Sequence, residues 1–197
     1  TPSHIEICDD LSLSNTHITD WIIGGEALKT STARRLTEFA QHKVNIFNEY
    51  GPTEATIGCM LHRYDIDKDV GLDVPIGKAI QNTQIYVLDQ YLQPVPPMIR
   101  GQLHIGGENL AKGYLNNNDL TQAKFIPSPV NPDERIYVSG DSAVIDDSGV
   151  IHYLGRIDQQ LKLQGMRVES GEIEAEIKSI DLISSAAVCK VSFANTR

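Results

Sequence analysis

The spacing of apolar residues predicts an α/β layer in the first third of the chain. Ile18 to Ile23 form a short apolar run that ends at two glycines, and Leu28 to His42 carry apolar residues near helical spacing. A second apolar run, Val44 to Phe47, follows this predicted helix. Strand, helix and strand in this order are typical of an α/β fold.

The predicted helix has one apolar face and two candidate capping residues. Its spacing places Leu36, Phe39 and Ala40 on the inward face. Ser31 or Thr32 is expected to cap the N terminus, because a hydroxyl oxygen can accept a hydrogen bond from a free backbone amide there.

From about Pro75 onward the pattern changes to short strands separated by turns. The strand-like segments are TQIYVLD at 83–89, QLHIGG at 102–107 and RIYVSGD at 135–141. Residues 143–154 form two further runs joined by Asp-Asp-Ser-Gly, which predicts a hairpin in which Gly149 adopts a positive φ. The second region is therefore expected to be rich in β structure.

The last part of the chain predicts one helix and one more strand. Ile173, Ile177 and Ile180 stand at helical spacing and indicate a helix from about Ser170, while residues 184–193 resemble a strand.

Composition and charge exclude several classes of function. Net charge is −9, the wrong sign for a chain that binds nucleic acid by neutralising phosphates. We find no apolar run near the roughly 18 residues that a membrane span requires. The three cysteines are far apart and argue against a disulfide scaffold or a structural zinc site. The chain begins with Thr1 and shows no signal peptide, so we expect a segment of a longer, cytoplasmic protein.

The turn Asn48 to Glu54 gathers groups that suit a nucleotide. Tyr50 offers a flat ring for a base, Thr53 a hydroxyl donor for phosphate oxygen, and Glu54 an oxygen ligand for Mg²⁺. The alternative is an ordinary polar turn, because Gly-Pro pairs occur in turns of every kind.

Two later strand ends carry further candidates. Asp141 is suited to accept hydrogen bonds from the two hydroxyls of a ribose, although a turn-capping role remains the alternative. Arg156 can donate to a ribose or a phosphate with its rigid fork of N–H groups, or it can form a surface salt bridge.

The order of the motifs along the chain indicates a family resemblance, whereas each motif alone is too common to do so. Five segments follow one another along the chain: NEYGPTEATIGC, PIGKAIQNTQIYVLD, GQLHIGGENLAKGYLNN, YVSGD and GRIDQQLKLQGMRVESGEIEAEI. Together they resemble the successive motifs of adenylate-forming enzymes, most specifically the adenylation domains of nonribosomal peptide synthetases. The resemblance runs from the Gly-Gly-Glu at 24–26 to at least Ile177.

This resemblance implies a reaction, its cofactors and its partners. Such domains use ATP and Mg²⁺ to convert an amino acid to an aminoacyl adenylate, and then pass the acyl group to the phosphopantetheine thiol of a peptidyl carrier domain. A condensation domain is a neighbour in the parent synthetase. The implied fold is the later part of a large N-terminal subdomain at 1–157, an α/β layer followed by a distorted β-barrel. The start of a small α+β subdomain is implied at 158–197.

Roles for individual residues follow from the matching motifs. Tyr50 resembles the aromatic residue that stacks on adenine, and Asn48 with the loop Gly24, Gly25 and Glu26 resembles the contacts to the adenine edge. By the same resemblance Asp141 accepts from the ribose hydroxyls and Arg156 contacts the ribose. Thr53 and Glu54 are the implied catalytic contacts, to phosphate and to Mg²⁺.

The resemblance also implies a pocket for the amino-acid side chain. The matching positions are Ile22, Gly24, Glu49, Ile57 and Gly58. Glu49 suggests a polar or basic substrate, because a carboxylate left desolvated and unpaired in a pocket is costly. In the alternative, Glu49 faces solvent.

Two further positions are implied to act in the second half-reaction. Asp158 resembles the hinge of the small subdomain, and Gly165 the loop glycine beside the phosphopantetheine arm.

Two other functions remain open at this stage. One is an acyl-CoA or aryl-acid ligase of the same superfamily, and the other is a catalytically silent nucleotide-binding or interaction segment. We expect the 197-residue chain alone to be inactive, because part of the implied site lies outside it.

Overall fold

The computed structural model describes residues 1–8, 17–40, 42–157, 161–163 and 166–188. The helices in these ranges are α1 (Pro2–Glu6), α2 (Thr30–Phe39), α3 (Asn118–Lys124) and α4 (Ser170–Lys178). The strands are β1 (Asp20–Gly24), β2 (Asn45–Tyr50), β3 (Met60–Arg63), β4 (Lys78–Ala79), β5 (Thr83–Leu88), β6 (Gly101–Gly107), β7 (Phe125–Pro127), β8 (Arg135–Ile145), β9 (Ile151–Arg156), β10 (Leu161–Leu163) and β11 (Met166–Val168). None of the helices in the described ranges has the length and apolar character needed to cross a membrane.

The predicted α/β layer is confirmed. Strands β1 and β2 pair in parallel, with Gly24 beside Glu49 at their carboxyl ends, and α2 connects them. Strand β3 then pairs antiparallel with β2, and β4 with β3. The buried core of this layer includes Ile23, Leu28 and Ile46. The parallel pair brings the ends of two strands to one edge, which is where ligands of open α/β sheets bind.

Helix α2 differs from its prediction at both ends. The helix begins at Thr30, so its N-cap is Lys29 and not Ser31 or Thr32, and no side chain caps it. The backbone amide of Thr30 donates to the carbonyl of Leu72 at 3.0 Å. Ala40 is in an extended conformation and ends the helix, so Phe39 is the last helical residue and is 40% exposed rather than buried. Leu36 is buried as predicted.

The second region is a curled antiparallel sheet, which confirms the predicted β-rich half. Its order is β5-β6-β8-β7, with β9 paired to the other part of β8. The β6–β8 and β8–β9 registers shift near Gln102 and Ser142, and such irregularities increase the local bend of a sheet. Leu103, Ile105 and Tyr137 fill the concave side as part of the larger core.

The predicted hairpin of residues 143–154 connects β8 to β9. Asp146 and Val150 close the turn with backbone hydrogen bonding at 2.9 Å, and Gly149 has a φ of +77°. The Oδ1 atom of Asp146 also accepts from the backbone amides of Ser148 at 2.9 Å and Val150 at 3.0 Å. This carboxylate therefore fixes the turn that sets the β8–β9 register.

The C-terminal predictions are only partly within the described residues. Helix α4 begins at Ser170 as predicted. Residues 184–188 are in no regular element, and the remainder of the predicted strand, 189–193, lies outside the described residues. Asp158 and Gly165 also lie outside them. The division at residue 157 remains a prediction.

Asp146→Ala should destabilise the chain by about 1.5 kcal/mol at pH 7, the lower end of the range for hydrogen bonds to a charged acceptor. Partial burial raises the pKa of Asp146, but hydrogen bonds from His152, Ser148 and Val150 outweigh it and lower the pKa. Because the pKa of Asp146 is lower in the folded state than the unfolded value of 3.8, the ionised side chain stabilises the fold at pH values above 3.8. This stabilisation is lost as the pH falls through the folded-state pKa.

Urea unfolding of the wild-type chain and Asp146→Ala at several pH values measures this effect. The difference between them should shrink as the pH falls below about 4. Asp147→Ala removes the same charge from the exposed neighbour and is the control. An equal loss of stability in both variants would contradict a role for the turn.

Candidate functional site

A buried carboxylate connects the two sheets. Asp141 of β8 is 3% exposed, and it accepts hydrogen bonds from the hydroxyl of Tyr50 and, at 3.2 Å, from Nη1 of Arg156. Tyr50 ends β2 of the first sheet, whereas Arg156 is the β9 partner of Asp141 in the second. The structure thus brings together three residues that the sequence predicted for one nucleotide site.

Ser139 completes this network and was not among the predicted site residues. Its hydroxyl donates to the carbonyl of Leu103 at 2.6 Å and accepts from the backbone amide of Asp141 at 3.0 Å. Its carbonyl accepts from Nη1 of Arg156 at 2.8 Å. No sequence signal distinguished it, because a serine in a strand is common and the bonds depend on the curl of the sheet.

The environment keeps Tyr50 protonated. Burial raises the pKa of Tyr50 well above its ordinary value, and the charge of Asp141 and the hydrogen bond to it act in the same direction. Burial and the charges of Glu49 and Asp141 similarly raise the pKa of Cys59 to about 12. Tyr50 is therefore a hydrogen-bond donor at neutral pH, and Cys59 is an unreactive thiol.

A small pocket lies beside Tyr50 at the carboxyl ends of β1 and β2. Its volume is about 50 Å³, and its lining includes Gly25, Glu26, Asn48, Glu49 and Tyr50. Ligand pockets usually measure roughly 300–1,000 Å³. The described residues thus form one wall of a site rather than a complete cavity.

Tyr153 also lines this pocket and was missed in the sequence. Its ring centroid is 6.3 Å from that of Tyr50, with an angle of 40° between the rings. The available signal was an aromatic residue three positions before Arg156 on the same strand. Both rings therefore line the same pocket.

Two of the residues predicted at the adenine edge are also held by the fold. The side-chain amide of Asn48 donates to the carbonyls of Val74 at 3.0 Å and Pro75 at 2.9 Å. Oε2 of Glu26 accepts from the amide and the hydroxyl of Ser3, at 3.0 and 2.6 Å. Asn48 therefore offers a ligand its amide oxygen, whereas its N–H groups are engaged.

Three of the five positions predicted for the substrate pocket are in direct proximity. A Cβ atom at Gly58 would lie 2.3 Å from Oε1 of Glu49, and one at Gly24 would lie 2.8 Å from the carbonyl oxygen of Glu49. Ile22 and Ile57 are exposed, by 68% and 70%. Gly24 is therefore required for the close approach of the Glu49 backbone, whereas Gly58 permits the present position of the Glu49 side chain.

Thr53 and Glu54 lie on a 3₁₀ turn, Thr53–Ala55, directly after β2. Thr53 is exposed, while Glu54 is 5% exposed and accepts a hydrogen bond from the hydroxyl of Tyr114. The described residues contain no group of three potential metal-ligating side chains. A single carboxylate still fits Mg²⁺, which proteins commonly hold through one or two carboxylates together with substrate phosphates.

Comparison with known proteins gives consistent similarities. Residues 5–115 match the family described as AMP-binding enzyme. Bacitracin synthase 3 of Bacillus licheniformis is 47% identical over 188 residues, and tyrocidine synthase 3 of Brevibacillus parabrevis is 39% identical over 188 residues. Each alignment covers 95% of this chain but 3% of the relative, so the chain spans a small part of those proteins.

Solved structures share the fold. The Vibrio cholerae adenylation domain AlmE, in complex with glycyl-adenosine-5'-phosphate, is similar with a TM-score of 0.82 and 30% identity. That match covers 95% of this chain and 36% of the other. Holo-PA1221, a protein containing adenylation and PCP domains, has a TM-score of 0.76 and 33% identity, covering 81% of this chain and 28% of the other.

Arg156→Met should destabilise the chain by about 3 kcal/mol or more, because it leaves the Asp141 carboxylate buried without that cation. Adding Asp141→Asn should restore part of the loss, since no charge then remains to be compensated. Urea unfolding of the single and double variants measures both effects.

Arg63→Met, at an exposed arginine, is the control and should change stability by no more than about 0.5 kcal/mol. If the double variant is less stable than Arg156→Met alone, the ion pair does not have the role described here.

Proposed function

Because the chain belongs to the AMP-binding enzyme family, we propose that it is an internal part of an amino-acid-activating adenylation domain in a nonribosomal peptide synthetase. The domain forms an aminoacyl adenylate and pyrophosphate from an amino acid and ATP, and transfers the acyl group to a carrier-bound phosphopantetheine thiol. The similarity to two peptide synthases and to adenylation-domain structures supports this proposal.

The observation that carries the proposal is the cluster of Tyr50, Asp141 and Arg156. The cluster places an aromatic ring, a buried carboxylate and a guanidinium together at the edge where the two sheets meet. These groups suit a nucleoside: the ring of Tyr50 suits the flat base, and Asp141 and Arg156 suit the hydroxyls and the other polar atoms of the ribose.

In this proposal the adenine base lies between the rings of Tyr50 and Tyr153. The Asp141 carboxylate accepts hydrogen bonds from the two ribose hydroxyls, and these replace the hydroxyl of Tyr50 as its donors. Arg156 still donates to the carboxylate, and the backbone amide of Asp141 still donates to the hydroxyl of Ser139, so Asp141 stays in place during that exchange. The exchange of one donor for two keeps the buried carboxylate satisfied.

Thr53 and Glu54 act on the phosphate side. The exposed hydroxyl of Thr53 donates to a phosphate oxygen, and Glu54 holds Mg²⁺. When bound, the cation neutralises charge that develops on the phosphates as the substrate carboxylate attacks. The protein thus contributes mainly position and fixed charge to this step.

The substrate side chain lies against Ile22, Gly24, Glu49, Ile57 and Gly58. Glu49 is the charged member of this set, so a polar or basic amino acid is the proposed substrate. The absence of a side chain at Gly58 makes room for the Glu49 carboxylate itself, and the absence of one at Gly24 makes room for the Glu49 backbone.

The second half-reaction needs a carrier domain and a moving subdomain. Asp158 is the proposed hinge, and Gly165 the proposed glycine beside the phosphopantetheine arm. A condensation domain of the same synthetase is the proposed next partner, and the cytoplasm the proposed location.

Asp141→Ala in the parent adenylation domain should raise the KM for ATP at least tenfold, because the ribose loses hydrogen bonds to a charged acceptor worth about 1.5–3 kcal/mol each. The KM for the amino acid should change little. ATP–pyrophosphate exchange measures both constants, and the 197-residue chain alone should give no exchange above a no-enzyme control.

Two variants separate binding from folding in this experiment. Asp141→Asn keeps the shape of the side chain and should also raise the KM for ATP, whereas Asp147→Ala at the exposed hairpin turn should leave it unchanged. An unaltered KM for ATP in both Asp141 variants would remove this residue from the site.

Glu49→Ala should reduce the preference of the parent domain for polar or basic amino acids by roughly tenfold or more, as expected when a polar contact to a substrate is lost. A panel of amino acids in the exchange assay, with aryl and fatty acids included, measures this preference. If the wild type prefers small apolar amino acids and Glu49→Ala changes nothing, the assigned substrate class is wrong. Turnover of aryl or fatty acids alone would favour the related ligases.

A further inference from the structure

A second loop, residues 108–117 between β6 and α3, is hydrogen-bonded to the turn that carries Thr53 and Glu54. The backbone amide of Ala111 donates to the carbonyl of Glu54 at 2.8 Å, and the side-chain amide of Asn109 donates to the carbonyl of Ala55 at 3.1 Å. The hydroxyl of Thr56 donates to the carbonyl of Asn109 at 2.6 Å. These bonds fix the backbone of the turn but leave the carboxylate of Glu54 to be oriented separately.

That carboxylate is oriented by Tyr114 of the same loop. The Tyr114 hydroxyl donates to Oε1 of Glu54. A carboxylate can rotate about its last carbon–carbon bond, and a donor on one oxygen selects one rotation. Because Glu54 is almost wholly buried, this neutral donor is also part of what compensates its removal from water.

Tyr114 is itself held in place by neighbouring elements. Its backbone amide donates to the hydroxyl of Thr121 on α3 at 2.9 Å, and its ring meets Phe125 of β7 edge-on at 5.8 Å between centroids. Gly113 permits the close approach, since a Cβ atom there would lie 2.4 Å from the Thr121 side chain. The hydroxyl is thus presented to Glu54 by a fixed scaffold rather than by a mobile side chain.

We propose that Tyr114 is a positioning residue, whose hydroxyl orients the Glu54 carboxylate to hold the Mg²⁺ of bound ATP. This inference rests on the proposed function, in which Glu54 is the metal ligand. Tyr114 touches neither substrate nor metal in this role. Groups that hydrogen-bond to a metal ligand commonly alter metal affinity by 10- to 100-fold when they are removed.

The test compares Tyr114→Phe with a matched loop variant in the parent adenylation domain. Tyr114→Phe keeps the ring against Phe125 and removes the hydroxyl alone. Thr56→Val is the control, because it removes another hydrogen bond between the same turn and loop without touching the Glu54 side chain. Glu54→Gln and the double variant Glu54→Gln/Tyr114→Phe complete the set.

Two readouts are measured on each variant. The first is the free Mg²⁺ concentration that gives half-maximal ATP–pyrophosphate exchange. The second, independent of turnover, is the affinity for ATP by calorimetry with Mg²⁺ and with EDTA.

Tyr114→Phe should raise the half-maximal Mg²⁺ concentration roughly tenfold and weaken ATP binding only when Mg²⁺ is present. Thr56→Val should leave the Mg²⁺ dependence unchanged, and the double variant should be no worse than Glu54→Gln alone.

Other outcomes overturn specific steps. Equal Mg²⁺ dependence in Tyr114→Phe and the wild type, or an equal shift in Thr56→Val, would show that the hydroxyl only supports the loop. A wild-type domain with no exchange on any amino acid would overturn the proposed function itself. A wild type that is active but insensitive to Glu54→Gln would remove Glu54 as the metal ligand, and Tyr114 with it.

Discussion

The need to satisfy the buried Asp141 carboxylate constrains the arrangement of the whole site. A charged oxygen with so little access to water costs several kcal/mol unless donors surround it. The donors to this carboxylate come from β2 in the first sheet and from β9 in the second. The two halves of the fold must therefore meet within hydrogen-bond distance at this point. In the proposed function the same carboxylate binds the ribose, so one desolvated charge would serve both the architecture and the reaction.

The sequence predicted the members of this cluster but not their contacts. The resemblance of ordered motifs assigned Tyr50, Asp141 and Arg156 to one site. Their hydrogen bonds join positions as much as 91 residues apart, and no local pattern encodes such a pairing. Strand alternation and turn residues were sufficient to predict the β8–β9 hairpin, because residues close together along the chain determine its structure. At α2 the predicted hydroxyl cap was wrong, because the helix begins at Thr30, before Ser31 and Thr32, where the Thr30 amide is bonded to the carbonyl of the distant Leu72.

Tyr153 and Tyr114 show a second limit of sequence analysis. Tyrosine suits a partly buried position anywhere, since its ring packs and its hydroxyl finds a partner, so its presence alone indicates no site. Tyr153 becomes informative only when its ring is found facing Tyr50, and Tyr114 only when its hydroxyl is found on Glu54. The role of a residue that acts through a neighbouring residue is visible in its contacts in the structure and not in its residue type.

The turn after β2 explains why the second loop is needed. Thr56 and Ile57 both have positive φ, 54° and 71°, a conformation that is unfavourable for β-branched residues and costs of order 1–3 kcal/mol each. The turn closes so tightly that a Cβ atom at Gly51 would lie 1.7 Å from the carbonyl oxygen of Ile57. Such strain persists only where surrounding contacts fix the conformation, and the hydrogen bonds that join the turn to Asn109 and Ala111 do so here. Because Thr53 and Glu54 directly precede the strained residues, the contacts that maintain the turn also determine where these two side chains lie.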